Sequence, residues 1–573
     1  MDKKAKRQST SNRSPLIWIK DAWFLARPYW TGPDKYKAIA LITIVIIFNL
    51  LMVAVSVIVN KWYNNFYSAL QNYNKASFYK LILIFFIIAF ANIVFAVLAY
   101  YFRKILEIRW RRWLTAYYLD KWFQSKAYYK TKFLSEISDN PDQRISSDVN
   151  SFIVLVMDLL LGLINSVVTL CSFIIILWTI VGPLKFTLAG HHIIIYGYIV
   201  WACILYAIAG TYITFKIGRP LIKLDYQQQA YEADFRFGLM RIREHSENIA
   251  FYNGEAQEKS ELNNRFNNVV NNFVSIIYRQ LKIDIFGVGY AQIAILVPFL
   301  VAAPRYFAKA IKLGDVMQIV TAFRQVQGAL SYFIDAYSSL SGWRATMDRL
   351  YGFLLTIENA EKLDGLNIQT NNSYLRLDKV GIKLPNGNPL AKNISFDLNS
   401  GDCLLIKGRS GSGKTTLLRT IASLWPFANG NIYQKNNLHS IFITQKPYLP
   451  IDTLKNAICY PQTQSLPNDA KINELLVKCS LGNLNNRLND LASWSDILSI
   501  GEQQKIAFCR ILINKPDIIY LDEATSALDE ETEELMYSLI KSELPQSVIV
   551  SVGHRSTIAK WHNHTLDFNK LIA

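Results

Sequence analysis

The sequence predicts two folds in one chain: an α-helical bundle of six membrane-spanning segments, followed by an α/β domain organised around a phosphate-binding loop. Three observations lead there. Apolar runs near the roughly 20 residues that cross a bilayer recur between residues 38 and 341. Beyond about residue 350 the apolar runs shorten (CLLIK, SIFIT, IIYL, SVIVSV) and alternate with helical stretches, the pattern of a sheet enclosed by helices. Within that second part, Gly408–Thr415 reads GRSGSGKT, the spacing of a loop that cradles phosphates.

Composition agrees with this division. The 573 residues are 51% hydrophobic and 18% charged, where soluble domains average about a quarter charged. Disorder, a collagen-like chain and a disulfide scaffold are excluded. The six cysteines, Cys171, Cys203, Cys403, Cys459, Cys479 and Cys509, form no C-x-x-C pair, which argues against a zinc site and fits a reducing compartment. The net charge of +17 suits either a nucleic-acid binder or a membrane protein with basic cytoplasmic loops, so the position of the base decides.

Residues 1–37 read as a basic cytoplasmic tail and an interfacial elbow helix, with Trp18, Trp23, Tyr29 and Trp30 suited to the headgroup layer; no cleaved leader is expected. Residues 38–349 read as the transmembrane domain, with spans at 38–60, 79–101, 151–180, 193–216, 282–303 and 314–341. The last is less apolar. Gln318, Thr321, Gln325, Gly328, Tyr332, Asp335 and Ser339 recur at steps of three and four and mark one polar helix face, suited to a watery cavity. Asp158, Arg324 and Asp335 are ionisable residues near membrane depth; they either line a solute path or pair helix to helix. The connections 102–150 and 217–281 are long and charged and are expected in the cytoplasm, while 61–78, 181–192 and 304–313 are short and belong outside. This placement puts the base beside the membrane and accounts for much of the charge without nucleic acid. Residues 350–372 read as a linker and 373–573 as the nucleotide-binding domain.

The chemistry lies in that last domain. Its glycines let successive N–H groups and a helix N-terminus face phosphate oxygens, Lys414 reaches the β and γ phosphates, and Thr415 is placed to ligate magnesium. The run ending in Asp522-Glu523 sets two carboxylates at the end of a buried strand. Asp522 there serves magnesium and Glu523 accepts a proton from an attacking water. Between these motifs stands Leu498-Ser499-Ile500-Gly501-Glu502-Gln503, opening a helical run.

At these residues the chain resembles the ABC ATPases. The phosphate loop matches at Gly408, Arg409, Ser410, Gly411, Ser412, Gly413, Lys414, Thr415 and Thr416, the signature at Leu498 to Glu502, and the acid pair at Asp522 and Glu523. Gln445 resembles the family's Q-loop glutamine, a further magnesium contact, Asp529 its D-loop aspartate, and His554 its switch histidine; a lone histidine is otherwise more often structural. The resemblance implies ATP and Mg²⁺ as cofactors and a homodimer, since the signature, with Ser499, Gly501, Glu502 and Gln503, serves the ATP of the partner subunit. NPDQRISSDV (140–149), the stretch 232–255, the stretch 442–461 and SVGHRST (551–557) resemble the branch holding bacterial SbmA/BacA-like transporters and peroxisomal D-subfamily half-transporters. That implies an exporter-type bundle, a bacterial inner membrane with the ATPase inside, and coupling helices within 125–150 and 217–281. Bacterial members are associated with uptake of peptides or cobalamin, peroxisomal ones with fatty acyl chains. A proton-coupled carrier with an idle ATPase and a DNA-acting ATPase are the competing readings. Two departures stand out: Leu384 falls where the family stacks an aromatic on adenine, and Asp452 replaces a usual glycine.

Overall fold

The computed structural model describes residues 15–134, 140–181, 184–188, 191–462, 464, 466–553 and 555–572. Its first helices, in chain order, are α1 Pro15–Thr31, α2 Lys35–Gln71, α3 Lys75–Phe123, α4 Ala127–Lys130, α5 Pro141–Gln143, α6 Val149–Val181, α7 Tyr198–Glu244, α8 Ser246–Tyr252, α9 Glu255–Phe307 and α10 Leu313–Glu361. The chain forms two compact units, one of residues 1–123 and 138–355, the other of 124–137 and 356–573.

In the first unit α2, α3, α6, α7 and α9 carry stretches long and apolar enough to cross a membrane. α10 matches them in length but not in hydropathy, because its polar stripe interrupts the apolar run. The stripe's opposite face supplies Ile319, Phe323 and Val326, which pack with Phe173, Leu177, Ile199 and Cys203 into the bundle's core. On α3, Leu83, Phe86, Phe90, Ile93 and Val97 are exposed at alternating steps of three and four, an apolar face suited to lipid. The span expected from residue 193 starts later. Strands β1 Leu184–Leu188 and β2 His191–Ile195 pair antiparallel, and α7 begins only at Tyr198. Three consecutive β-branched isoleucines, 193–195, favour the extended form. The helices also outrun the bilayer: α7 and α9, of 47 and 53 residues, pair as a hairpin whose tip is α8. At the other charged connection, buried Asp148 accepts from Arg349 Nε and Nη2 at 2.9 and 2.8 Å and is paired with Arg144.

The second unit contains β3 Ile368–Thr370, β4 Leu375–Lys383, β5 Pro389–Leu398, β6 Cys403–Lys407, β7 Ala428–Gln434, β8 Ser440–Ile443, β9 Asp452–Thr453, β10 Leu491–Ala492, β11 Ile518–Asp522, β12 Val548–Val552 and β13 His564–Asp567. Its longer helices are α11 Lys414–Ile421, α12 Leu454–Cys459, α13 Asp469–Lys478, the single turn α14 Trp494–Ile497, α15 Ile500–Asn514 and α16 Glu530–Glu543. Residues expected as a linker from 350 remain helical as far as Glu361, where the run of good helix formers ends. One sheet, in the order β13-β6-β12-β11-β8, is wholly parallel; the other, β3-β7-β4-β5, is mostly antiparallel. The inner strands of the parallel sheet are buried on both faces, and read accordingly as continuous apolar runs rather than alternating ones.

Candidate functional site

A parallel sheet delivers all its strand ends to one edge. Here that edge carries the loop after β6 (Gly408–Gly413), the pair Asp522-Glu523 at the end of β11, the segment after β12 and, after β8, Gln445. Residues as far apart in sequence as Gly408 and Gly553 thus gather at one edge. Lys414 opens α11 and is buried; its Nζ donates to the carbonyls of Gly408 and Arg409 at 2.9 Å each. Gly413, at φ +108°, makes the turn into α11 in a conformation open to glycine and strained for other residues. Thr415 Oγ1 donates to Asp522 Oδ1 at 3.0 Å, so a hydroxyl and a carboxylate stand together at the strand end, a donor set that fits a hard, oxygen-ligated cation such as magnesium. Burial pushes the Asp522 carboxyl up, against the Thr415 hydrogen bond, and pushes the Lys414 ammonium down, against the attraction of Glu523 and Asp522.

Glu523 sits at φ +51°, in the left-handed region that a glutamate rarely occupies, with its N–H bonded to the carbonyl of Val552 at 3.0 Å. Strain of this kind persists where the surroundings fix the backbone; here β12 fixes it. His554 lies outside the described residues.

The signature segment is a helix cap. Ser499 is the N-cap of α15 and forms a capping box with Glu502, each satisfying a backbone N–H of the other. A Cβ at Gly501 would lie 3.0 Å from the carbonyl oxygen of Ala527, so the helix start approaches the Ser526–Asp529 segment closely. Gln503, grouped with the signature from sequence, is turned inward instead: 2% exposed, it donates to the carbonyls of Ser495 and Leu498 at 2.9 and 2.8 Å. Asp529 caps α16 by accepting from Thr532 N–H, and hydrogen bonding from the Thr532 side chain and backbone holds its carboxyl below the usual range.

Three residues not singled out from sequence tie these loops together. Gln504, fully buried, donates to the carbonyl of Gln445 at 2.8 Å and to Ser526 Oγ at 3.2 Å, and accepts from Ala527 N–H at 3.1 Å. Arg555 donates to the carbonyls of Leu528 and Ser526, and buried Glu533 accepts from Thr525 and Thr557 while pairing with Arg555. The signal for Gln504 was available: an amide at the core-facing spacing of Phe508 and Ile511 is a polar group that must find partners inside.

The second unit also includes the segment 124–137. Phe133 meets Trp425 and Phe427 edge-on at 5.1 and 5.9 Å, and Lys130 pairs with Asp364 at 3.4 Å.

In the first unit the candidate solute-path residues part company. Thr321, Arg324 and Gln325 line a cavity of about 470 Å³ among α2, α3, α6 and α10. Gln318 lies beside it in a polar network: Asn60 Nδ2 donates to Gln318 O and Thr321 Oγ1 at 2.9 and 2.6 Å, and Asn64 Nδ2 to Gln318 Oε1 and Asp315 Oδ1. Asp158 takes the other alternative, a helix-to-helix ion pair with Arg103 at 2.5 Å. The Asp335 side chain lies outside the described residues.

Comparison with known proteins places both units. The family model for ABC transporter transmembrane region 2 matches residues 25–307, and the ABC transporter model matches residues 391–526. An ABC transporter ATP-binding protein of Haemophilus influenzae is 38% identical over 96% of this chain and 92% of its own. The inner membrane ABC transporter ATP-binding protein YddA of Escherichia coli is 34% identical, covering 93% and 94%. ABC transporter D family member 2, chloroplastic, of Arabidopsis thaliana is 32% identical, covering 98% and 88%. Among solved structures, a bacterial Atm1-family ABC exporter with ATP bound superposes with a TM-score of 0.71 over 94% of each chain at 18% identity, which gives the exporter-type fold.

Proposed function

The chain belongs to the ABC transporter family, with membrane and ATPase domains fused, and from that premise we propose that it is a homodimer importing a hydrophilic or amphipathic solute, such as a peptide or a cobalamin-like molecule, across a bacterial inner membrane. ATP hydrolysis coupled to transport follows from the family itself. The observation that carries the assignment of roles is the Thr415–Asp522 hydrogen bond, with Glu523 locked next to it on the sheet edge that bears the phosphate loop.

In this reading ATP lies with its phosphates on the N–H groups of Gly411 to Thr416, and Lys414 exchanges its carbonyl partners for phosphate oxygens. Thr415, Asp522 and Gln445 hold magnesium, which when bound offsets the charge of the triphosphate. Glu523 orients the attacking water and takes its proton, and His554 contacts the γ-phosphate. The capped N-terminus of α15, with Ser499 and Gly501, offers its N–H groups to the ATP of the partner subunit, so closure brings two copies together and hydrolysis releases them. The Phe133 contact with Trp425 and Phe427 supports a role for 124–137 in passing that motion on. With Leu384 in the β4–β5 hairpin, adenine recognition relies on other groups.

The mixed lining of the membrane cavity, with Asn60, Asn92, Thr321, Arg324 and Gln325 beside Val55, Val59 and Phe173, favours a hydrophilic or amphipathic cargo over a purely apolar acyl chain. The test is Glu523→Gln in purified, reconstituted protein. ATPase turnover is expected to fall at least about 100-fold, with solute uptake lost. Undiminished turnover and uptake overturn the assignment.

A further inference from the structure

We infer that the membrane cavity recognises the carboxylate of its solute through Arg324, next to a polar acceptor that selects an N–H or O–H group beside that carboxylate. This rests on the transport reading above and specifies its substrate class.

Arg324 lies eleven residues into α10, which places it roughly 16 Å along the helix axis and so near the middle of a hydrocarbon layer about 30 Å thick. A guanidinium stays charged at any physiological pH, so at that depth it needs water or an anion. Arg103, two residues beyond the expected end of the second span, has Glu107 and Asp158 as partners. Arg324 has no acidic partner among the described residues, and it is exposed into the cavity lined also by Asn60, Tyr63, Asn92, Thr321 and Gln325. All of those are neutral. An unopposed cation among neutral amides and hydroxyls, with Val55, Val59 and Phe173 on the same lining, is a site for an anion that carries an apolar portion rather than for a cation.

Asn60 adds the second requirement. Its side chain is 2% exposed, and its Nδ2 donates to the main-chain carbonyl of Gln318, an atom that can only accept, which fixes which way the amide points. The remaining Oδ1 has no hydrogen-bond partner among the described residues. A buried acceptor left alone is costly unless something donates to it. A solute whose carboxylate meets Arg324 and whose adjacent N–H or O–H meets this acceptor satisfies both, as the C-terminus of a peptide or an acylated amino acid does.

The experiment compares N-octanoylglycine with N-octanoylglycinamide, which differ at the carboxylate alone, as modulators of ATPase turnover in full-length protein reconstituted in vesicles. The acid is expected to change turnover and the amide to need at least about tenfold higher concentration. Arg324→Gln is expected to abolish that difference and Arg324→Lys to keep most of it. Vesicles with and without phosphatidylglycerol separate the two sources of an anion: an acid response that persists in both supports the solute, whereas one that phosphatidylglycerol abolishes assigns Arg324 to a lipid headgroup and overturns the proposal. Equal action of acid and amide, no action of either, or an undiminished preference in Arg324→Gln also overturns it. Glu523→Gln in the same vesicles keeps the two readings apart, since its loss of turnover upholds ATP-driven transport whatever the acid does.

Discussion

Gln504 makes three hydrogen bonds from a site with no access to water, joining the chain around Gln445 to that around Ser526 and Ala527. Removing it leaves part-buried carbonyl and N–H groups to water alone, so Gln504→Ala is expected to cost about 1 to 2 kcal/mol of stability and to lower turnover with less cooperativity in ATP. Gln504→Glu keeps the acceptor for Ala527 and loses the donor to Gln445. Unfolding midpoints and ATP titrations of the two variants separate the structural part from the functional one. A titrating group gives a second prediction. His562 donates from Nδ1 to the carbonyl of Ile558 and accepts at Nε2 from Ser551, which suits the neutral ring, and burial pushes its pKa below the ordinary 6.5. The unfolded chain therefore binds the proton first as pH falls, so stability is lost on acidification below about 6.5. The thermal midpoint is expected to drop between neutral pH and about pH 5.5, and less so in His562→Asn. The phosphate loop and acid pair were legible in sequence because their spacing is their chemistry; the core-facing spacing of Gln504 marks it as buried but not what it joins, and Arg555 acts through contacts made only after folding. Asp452, a departure without a sequence rationale, accepts from Thr453 N–H and Asn456 Nδ2 at the start of α12.

At the scale of elements, the five long apolar helices were legible because a bilayer demands long unbroken runs, and the helix α10 because its polar residues keep a helical period. The β1–β2 hairpin was hidden: a run of isoleucines suits a strand and a membrane helix alike, and only pairing decides. A coupling helix within 125–150 was expected from the family resemblance, but its contact residues were invisible, since Phe133 is one aromatic among many in a basic stretch. Its edge-on contacts with Trp425 and Phe427 lead to a prediction. Phe133→Ala is expected to leave ATP binding intact while reducing the stimulation of turnover by solute several-fold, through loss of about 1 kcal/mol or more of aromatic contact. Nucleotide titration and stimulated ATPase, measured on one preparation, check both halves.

For the molecule as a whole, one chain carries one phosphate loop and one signature segment, and the proposed mechanism joins them across two chains. Nothing in the residue order of a single chain states that pairing; it enters from the family resemblance, whereas the exposed aromatics of α8 are a feature of the folded chain. Phe251 and Tyr252 are 75% and 85% exposed at the far end of the α7–α9 hairpin, next to Asn253 at φ +51° and Gly254. Such a bare aromatic turn is a ready substrate for chymotrypsin, which cuts after Phe and Tyr, and the hairpin that bears it becomes a gauge of assembly. Brief digestion of dispersed chains is expected to nick the polypeptide there, and nucleotide-clamped pairs of Glu523→Gln are expected to resist; equal cleavage in both would mean that these rings stay uncovered when the transporter closes.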